Sequence, residues 1–305
     1  MSRQGSLLIM TLWVLAILSV FAIAIARYLS LETHLTRYRV AREQAKSLAR
    51  AGVYLAAMQL TKDAQDPGEQ YDWVGDDWAA TPPDVTLPEG RIHVLSVTDE
   101  QRRLDLNSAR SDQLELITGS AEIAQAVRDY VDPEDPTEQR QASPPYAPKD
   151  APVVAMEELR DIPVMTPEAF AALQRATTVG AGTTLNINTV TPEALAAIAP
   201  ILHDQPSEAI IQILAAARQD PATMDSCIVK DLADMADQLA ACTMQDPEAF
   251  VELRTKANFS VRSSVFRIVS EGLVDSPKVT YRVEAVVQRS QDGTEPPKIL
   301  SWRES

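Results

Sequence analysis

Few side chains in this 305-residue chain have the types and spacing of reactive groups. Its three histidines, His34, His93 and His203, stand far from one another and from the two cysteines. None falls in a G-x-S-x-G, H-E-x-x-H or glycine-rich phosphate-loop pattern. No nucleophile is spaced beside a base and an orienting group, so the chain is not expected to be an enzyme.

Three other groupings carry chemistry of binding or cross-linking. Cys227 and Cys242 lie 15 residues apart, an even and minimal count that suits one bridge in an exported domain. Closing a loop of that size stabilises by about 3 kcal/mol in the chain-entropy view; two unrelated buried thiols are the alternative. The run DYVDPEDPTEQ gathers Asp129, Asp132, Glu134, Asp135 and Glu138. Carboxylates so close need a hard cation such as Ca²⁺ or full solvation, and the spacing is not that of an EF-hand. The run LNINTVTPEALAAI looks like half of a helix-hairpin-helix module, but APILHDQP follows Ile198 with no glycine to bring backbone amides to a phosphate. Asn186 and Asn188 are expected to serve as caps and turn residues.

The charge pattern argues the same way. Residues 1–64 balance at +5, residues 65–255 at −22 and residues 256–305 at +2. A basic stalk bears a strongly acidic head, whose field repels nucleic-acid backbones.

These groups are positioned by a regular succession of elements. From Ser6 to Ala26 no side chain ionises, and about 21 helical residues span roughly 31 Å, the thickness of a bilayer core. Beyond it Leu31, Leu35, Tyr38, Ala41, Ala45, Leu48, Gly52 and Leu55 recur at helical intervals with no proline before Pro67, which predicts one helix to about Lys62. Residues 66–90 read as a loop whose tryptophans, Trp73 and Trp78, cover that helix. GRIHVLSVTDEQRRLDLNSA predicts two strands or one bent strand. Short amphipathic helices then fill the chain to Lys256; Thr166-Pro167-Glu168 and Thr191-Pro192-Glu193 have the form of N-cap, first-turn proline and acidic first turn. After Asn258, alternation predicts a three-stranded antiparallel meander. The expected class is α+β, with an all-helical domain inserted into a helix-and-sheet domain.

In this order, DYVDPEDP, APVVAMEELRDIPVMTPEAFAAL, LNINTVTPEALAAI and the closing VFRIVSEGLV, YRVEAVV and ILSWRE, behind a short leader ending at Gly5, resemble the general secretion pathway K proteins (GspK), minor pseudopilins of the type II secretion system. The resemblance covers essentially the whole chain. It implies a leader (1–5), a transmembrane helix (6–26), a stalk helix (27–64), a pilin-like αβ part (65–107), an inserted SAM/helix-hairpin-helix-like all-α domain (108–256) and a pilin-like β-meander (257–305).

The resemblance further implies cleavage by prepilin peptidase between Gly5 and Ser6, methylation of the new amine, and residence in the inner membrane with the amino end cytoplasmic and the head periplasmic. Met10 becomes mature residue five, where most pilins carry a glutamate. An unpaired carboxylate in lipid is costly, so Met10 suits a subunit with nothing above it. Implied partners are the minor pseudopilins I and J and the pseudopilus body; Leu31, Leu35, Tyr38, Leu48 and Leu55 are the candidate contacts. Calcium is implied for some members and is carried here to Asp132, Glu134 and Asp135. Against the orientation stand Arg27, Arg37, Arg39, Arg42, Lys46 and Arg50 after the span, which by positive-inside counting favour a cytoplasmic carboxyl end. A pilin-like DNA-uptake receptor and an unprocessed anchored domain are the alternatives.

Overall fold

A computed structural model describes residues 3–66, 70–131, 149, 151–198, 207–219, 224–256, 258–290 and 292–305. The first helix, α1 (Arg3–Ala64), runs unbroken for 62 residues, roughly 93 Å at helical rise. No proline interrupts it, and its one helical glycine beyond the amino end, Gly52, lies within the part clamped by the sheet. Residues 10–40 are exposed throughout, whereas the carboxyl third is packed.

That third lies on a five-stranded antiparallel sheet ordered β1 (Val85–Leu87), β2 (Gly90–Asp99), β7 (Val265–Asp275), β8 (Lys278–Gln288) and β9 (Lys298–Glu304). The helix face against the sheet is made of small residues: Ala41, Ala45, Ala49, Gly52, Val53, Ala56 and Ala57. Small side chains let the backbones approach closely. A Cβ on Gly272 of β7 would stand 1.9 Å from the Ala45 carbonyl oxygen, and one on Gly52 would stand 2.0 Å from Ser270 Oγ. Leu48, Leu60 and the inward sheet residues Ile92, Val94, Ile268, Val283, Ala285 and Val287 complete this core. Of the two loop tryptophans, Trp78 joins it, edge-on to Phe266 at 5.0 Å between ring centroids; Trp73 is only half-buried and faces elsewhere.

Between β2 and β7 the chain leaves the sheet and builds two helical cores in tandem. The first contains β3 (Leu104–Asp105), α2 (Ser111–Thr118), α3 (Ala121–Val131), a 3-10 turn at Met156–Asp161, α4 (Pro167–Ala176) and β4 (Thr177–Thr178). It closes on Leu114, Val127, Leu159, Phe170 and Leu173. The second contains β5 (Leu185–Asn186), α5 (Pro192–Ala196), α6 (Ser207–Gln219), 3-10 turns at Met224–Cys227 and Leu232–Asp234, α7 (Met235–Thr243), α8 (Glu248–Lys256) and β6 (Phe259–Ser260), around Ile187, Leu195, Leu214, Leu239 and Phe250. The expected single compact helical unit is thus two hydrophobic clusters. Each is closed by a two-residue parallel pair, β3 with β4 and β5 with β6, where segments distant in sequence re-enter. The two Thr-Pro-Glu sites cap as the pattern predicts: Ala169 N donates to Thr166 Oγ1 at 3.1 Å and Ala194 N to Thr191 Oγ1 at 3.2 Å.

Candidate assembly interface and the polar hub behind it

The exposed part of α1 contains an 18-residue window of mean hydropathy 2.2, none of it buried, so this helix is long and apolar enough to cross a membrane. The backbones of Gly5 and Ser6 fall inside α1. Met10 is 71% exposed on the same helix.

At about 100° per residue, Leu31, Leu35 and Tyr38 lie on the face of α1 that the sheet covers higher up. Below the head nothing covers them, and all three are exposed. Leu48 belongs to that face but is spent inside the protein's own core, at 7% exposure, and cannot meet a partner. Leu55 is exposed at the margin of the covered face. Sequence reasoning passed over Val40, Tyr54 and Met58, which form a second exposed apolar line on the opposite side. Their periodicity was hidden by the polar residues between them.

Two of the basic residues after the span are occupied at home. Lys46 Nζ lies 3.0 Å from Glu304 Oε2, and Arg50 donates through Nε at 2.8 Å and Nη2 at 2.6 Å to Oε1. Trp302 Nε1, Lys46, Arg50 and Tyr281 OH together hold the Glu304 carboxyl down at about 2. Arg42 stands 5.9 Å from the centre of the Tyr281 ring. Part of the basic flank therefore fastens α1 to β8 and β9.

The sheet domain and the helical insert meet at a buried polar hub. Arg289, just after β8, is 2% exposed. Its Nη1 donates to Asp63 Oδ2 at 2.5 Å and to the Leu60 carbonyl at 3.3 Å, its Nη2 donates to the Asp72 carboxylate, and its Nε to the Ser263 carbonyl at 3.1 Å. Ser263 Oγ donates to Asp99 Oδ2 at 2.6 Å, Thr189 Oγ1 donates to the same oxygen, and Asn186 Nδ2 donates to Ser263 Oγ at 2.7 Å. One cation thus ties together the end of α1, the loop at Asp72, the end of β2 and the first residues of the second helical core. A second junction joins Glu100 to Arg267 Nε at 2.7 Å and Arg103 Nη2 at 3.0 Å, with Thr178 Oγ1 donating to its other oxygen. Burial alone would raise the Glu100 carboxyl, but these arginines hold it below its ordinary value.

The two asparagines of the LNIN run are structural. Asn186 Oδ1 accepts from Asn188 N at 2.9 Å, and Asn188 pairs with the Val229 backbone in both directions, at 2.8 and 2.9 Å. Cys227 and Cys242 are joined by a disulfide, Cα atoms 5.0 Å apart, that links the 3-10 turn to α7 inside the second helical core. Asp132, Glu134 and Asp135 lie outside the described residues.

Two carboxyls near the hub are pushed upward by burial: Asp99 to about 6, against the hydrogen bonds it accepts, and Asp76 to about 7. Asp76 Oδ2 accepts from Trp73 N and Trp78 Nε1, both at 2.8 Å, while its Oδ1 is buried without a partner among the described residues. Both carboxyls keep a proton when folded at pH values where the unfolded chain has released it. Their contribution to stability is therefore lost as pH rises from about 4 to about 7. The thermal midpoint of the detergent-solubilised chain is expected to fall across that window, and Asp76→Asn to flatten its upper part. A midpoint that climbs steadily from pH 4 to 7 in both proteins would contradict the assignment.

Residues 106–181, a range that includes the buried residues of the first helical core, match the family model described as "Type II secretion system (T2SS), protein K". No curated protein sequence matches the chain. Among solved structures, the chain is similar to one in the GspK-GspI-GspJ complex of the enterotoxigenic Escherichia coli type 2 secretion system, with a TM-score of 0.63 and 19% identity over 88% of this chain and 99% of that one. Residues 106–181 are thus similar in sequence to type II secretion system protein K, and the fold over most of the chain is shared with that solved structure.

Proposed function

We propose that the chain is a minor pseudopilin, non-catalytic, that joins pseudopilins I and J to initiate and cap the tip of a type II secretion pseudopilus. The observation that carries this reading is the protein K match over residues 106–181, set on a head borne by an apolar helix. The helix anchors the chain in the inner membrane with the head in the periplasm. Prepilin peptidase cuts between Gly5 and Ser6, the Ser6 amine is methylated, and Met10 at mature position five leaves no unpaired carboxylate at the tip. The helical insert, too bulky to repeat along a filament body, fits at its end. Calcium held by Asp132, Glu134 and Asp135 belongs to the same reading.

Leu31, Leu35 and Tyr38 continue the sheet-covered face of α1 beyond the head, and this is where the helices of I and J pack. Because these side chains are exposed, Leu35→Arg with Tyr38→Glu is expected to leave the thermal midpoint of the isolated chain unchanged. Co-purification with I and J is expected to fall about tenfold or more. Undiminished co-purification would remove the contact. Processing is tested by intact mass and amino-terminal sequence from cells with and without prepilin peptidase. Peptidase-dependent appearance of Ser6 as first residue is expected, and an uncut chain would overturn the pseudopilin reading.

A further inference from the structure

A cavity of about 230 Å³ lies where the second helical core meets the loop at Trp73 and the turn at Arg102. Its apolar wall includes Trp73, Leu195, Ala215 and Ile228, and no aspartate or glutamate lines it among the described residues. That is unusual in a chain with 43 acidic residues. Two arginines do line it. Arg218, in the last turn of α6, has both Nη atoms buried with no hydrogen-bond partner among the described residues, and Arg102 Nε is in the same condition. The end of α6 does not explain Arg218, because neither Nη atom donates to a carbonyl among the described residues.

The remaining polar side chains of the cavity are committed elsewhere. Asn188 is paired with Val229 at both its oxygen and its nitrogen, Thr189 Oγ1 donates to Asp99, and Thr191 Oγ1 accepts from Ala194 N. The charged groups left for a ligand among the described residues of the lining are the two guanidinium donors. Buried charged donors without an acceptor are costly, and burial pushes the Arg218 guanidinium down to about 10. A carboxylate matches a guanidinium fork with two parallel bonds and would remove that cost. The apolar wall calls for a hydrocarbon stem, and a cavity of roughly 150 Å³ already holds a benzene ring.

We propose that this cavity is a binding site for a carboxylate on a short apolar stem, held by Arg218 and Arg102. The acid comes either free or as the terminal residue of another polypeptide. The site stands apart from the pseudopilin reading and does not depend on it.

The test is a ligand-observed NMR titration of the full-length, detergent-solubilised, disulfide-intact chain. The probes are benzoate, its neutral isostere benzamide, and a short peptide ending in Val-Leu as free acid or as amide. Benzoate is expected to bind saturably and about tenfold or more tighter than benzamide, with Arg218→Gln weakening it by a similar factor. Ala215→Leu, which fills the cavity, is expected to remove binding. Should Arg218→Gln fail to fold, Arg102→Gln carries the same expectation. A peptide acid that outcompetes benzoate assigns the site to a chain end, and equal binding assigns it to a free acid. Benzamide binding as well as benzoate, no saturation by either acid, or binding unchanged in Ala215→Leu and Arg102→Gln would overturn the site.

Discussion

Arg289→Ala is expected to cost about 3–5 kcal/mol of stability at neutral pH, the largest loss from any single truncation in the molecule. The arginine itself contributes little surface to the core. Its removal would strand Asp63 and Asp72, two carboxylates that it alone among the described residues faces with a full charge inside the hub. Burial already holds the Asp63 carboxyl above its ordinary range, with Arg289 pulling it back. In the variant the Asp63 carboxyl loses the pull of Arg289 and rises further, so the loss is expected to shrink at pH 5. Arg289→Lys is expected to rescue only in part. One ammonium has three donors, whereas the guanidinium serves two carboxylates and the Leu60 and Ser263 carbonyls at once. Denaturant unfolding of the detergent-solubilised chain at pH 5 and 7.5 measures this. A loss below about 1 kcal/mol at both values would mean that the hub does not hold the two parts together.

Gly272→Ala is the second, and its comparison with Gly52→Ala separates two kinds of crowding. At Gly272 the added methyl would meet backbone, the Ala45 carbonyl at 1.9 Å and the Ala49 nitrogen at 2.6 Å. Backbone atoms of a packed helix cannot rotate aside, so α1 must lift from β7, at a cost of about 3 kcal/mol. At Gly52 the nearest atoms are the Ser270 hydroxyl and an Ile92 methyl, which are side-chain ends that can turn away. Part of that cost is returned by alanine's better helix propensity, leaving about 1 kcal/mol. Equal midpoints for the two variants would show that the helix floats on the sheet.

Much of this architecture was legible because it is local. An unbroken apolar run, an absence of proline up to Pro67 and a change of period near Asn107 and again near Asn258 are properties of neighbouring residues. The caps at Thr166 and Thr191 are equally local, and both form. The hub was not legible. Asp63 and Arg289 are 226 residues apart, and no spacing rule connects them. The stalk stripe was legible as a helical period, but not where the sheet would cover it. The sheet packs on its alanines, Gly52, Leu48 and Leu60, and Leu31, Leu35 and Tyr38 lie exposed where the sheet ends. Tandem helical cores were read as one because their separation rests on two-residue parallel pairs, too short to show a period.

The continuity of α1 makes the head a rigid crank on its anchor. With no joint between the exposed residues and the part clamped to the sheet, each residue inserted into or deleted from the stretch 11–40 turns the head by about 100° and moves it by about 1.5 Å along the helix axis. The number of residues between the apolar segment and the sheet therefore encodes an azimuth as well as a height. A substitution there leaves that azimuth unchanged, whereas a single insertion re-aims every surface of the head at once.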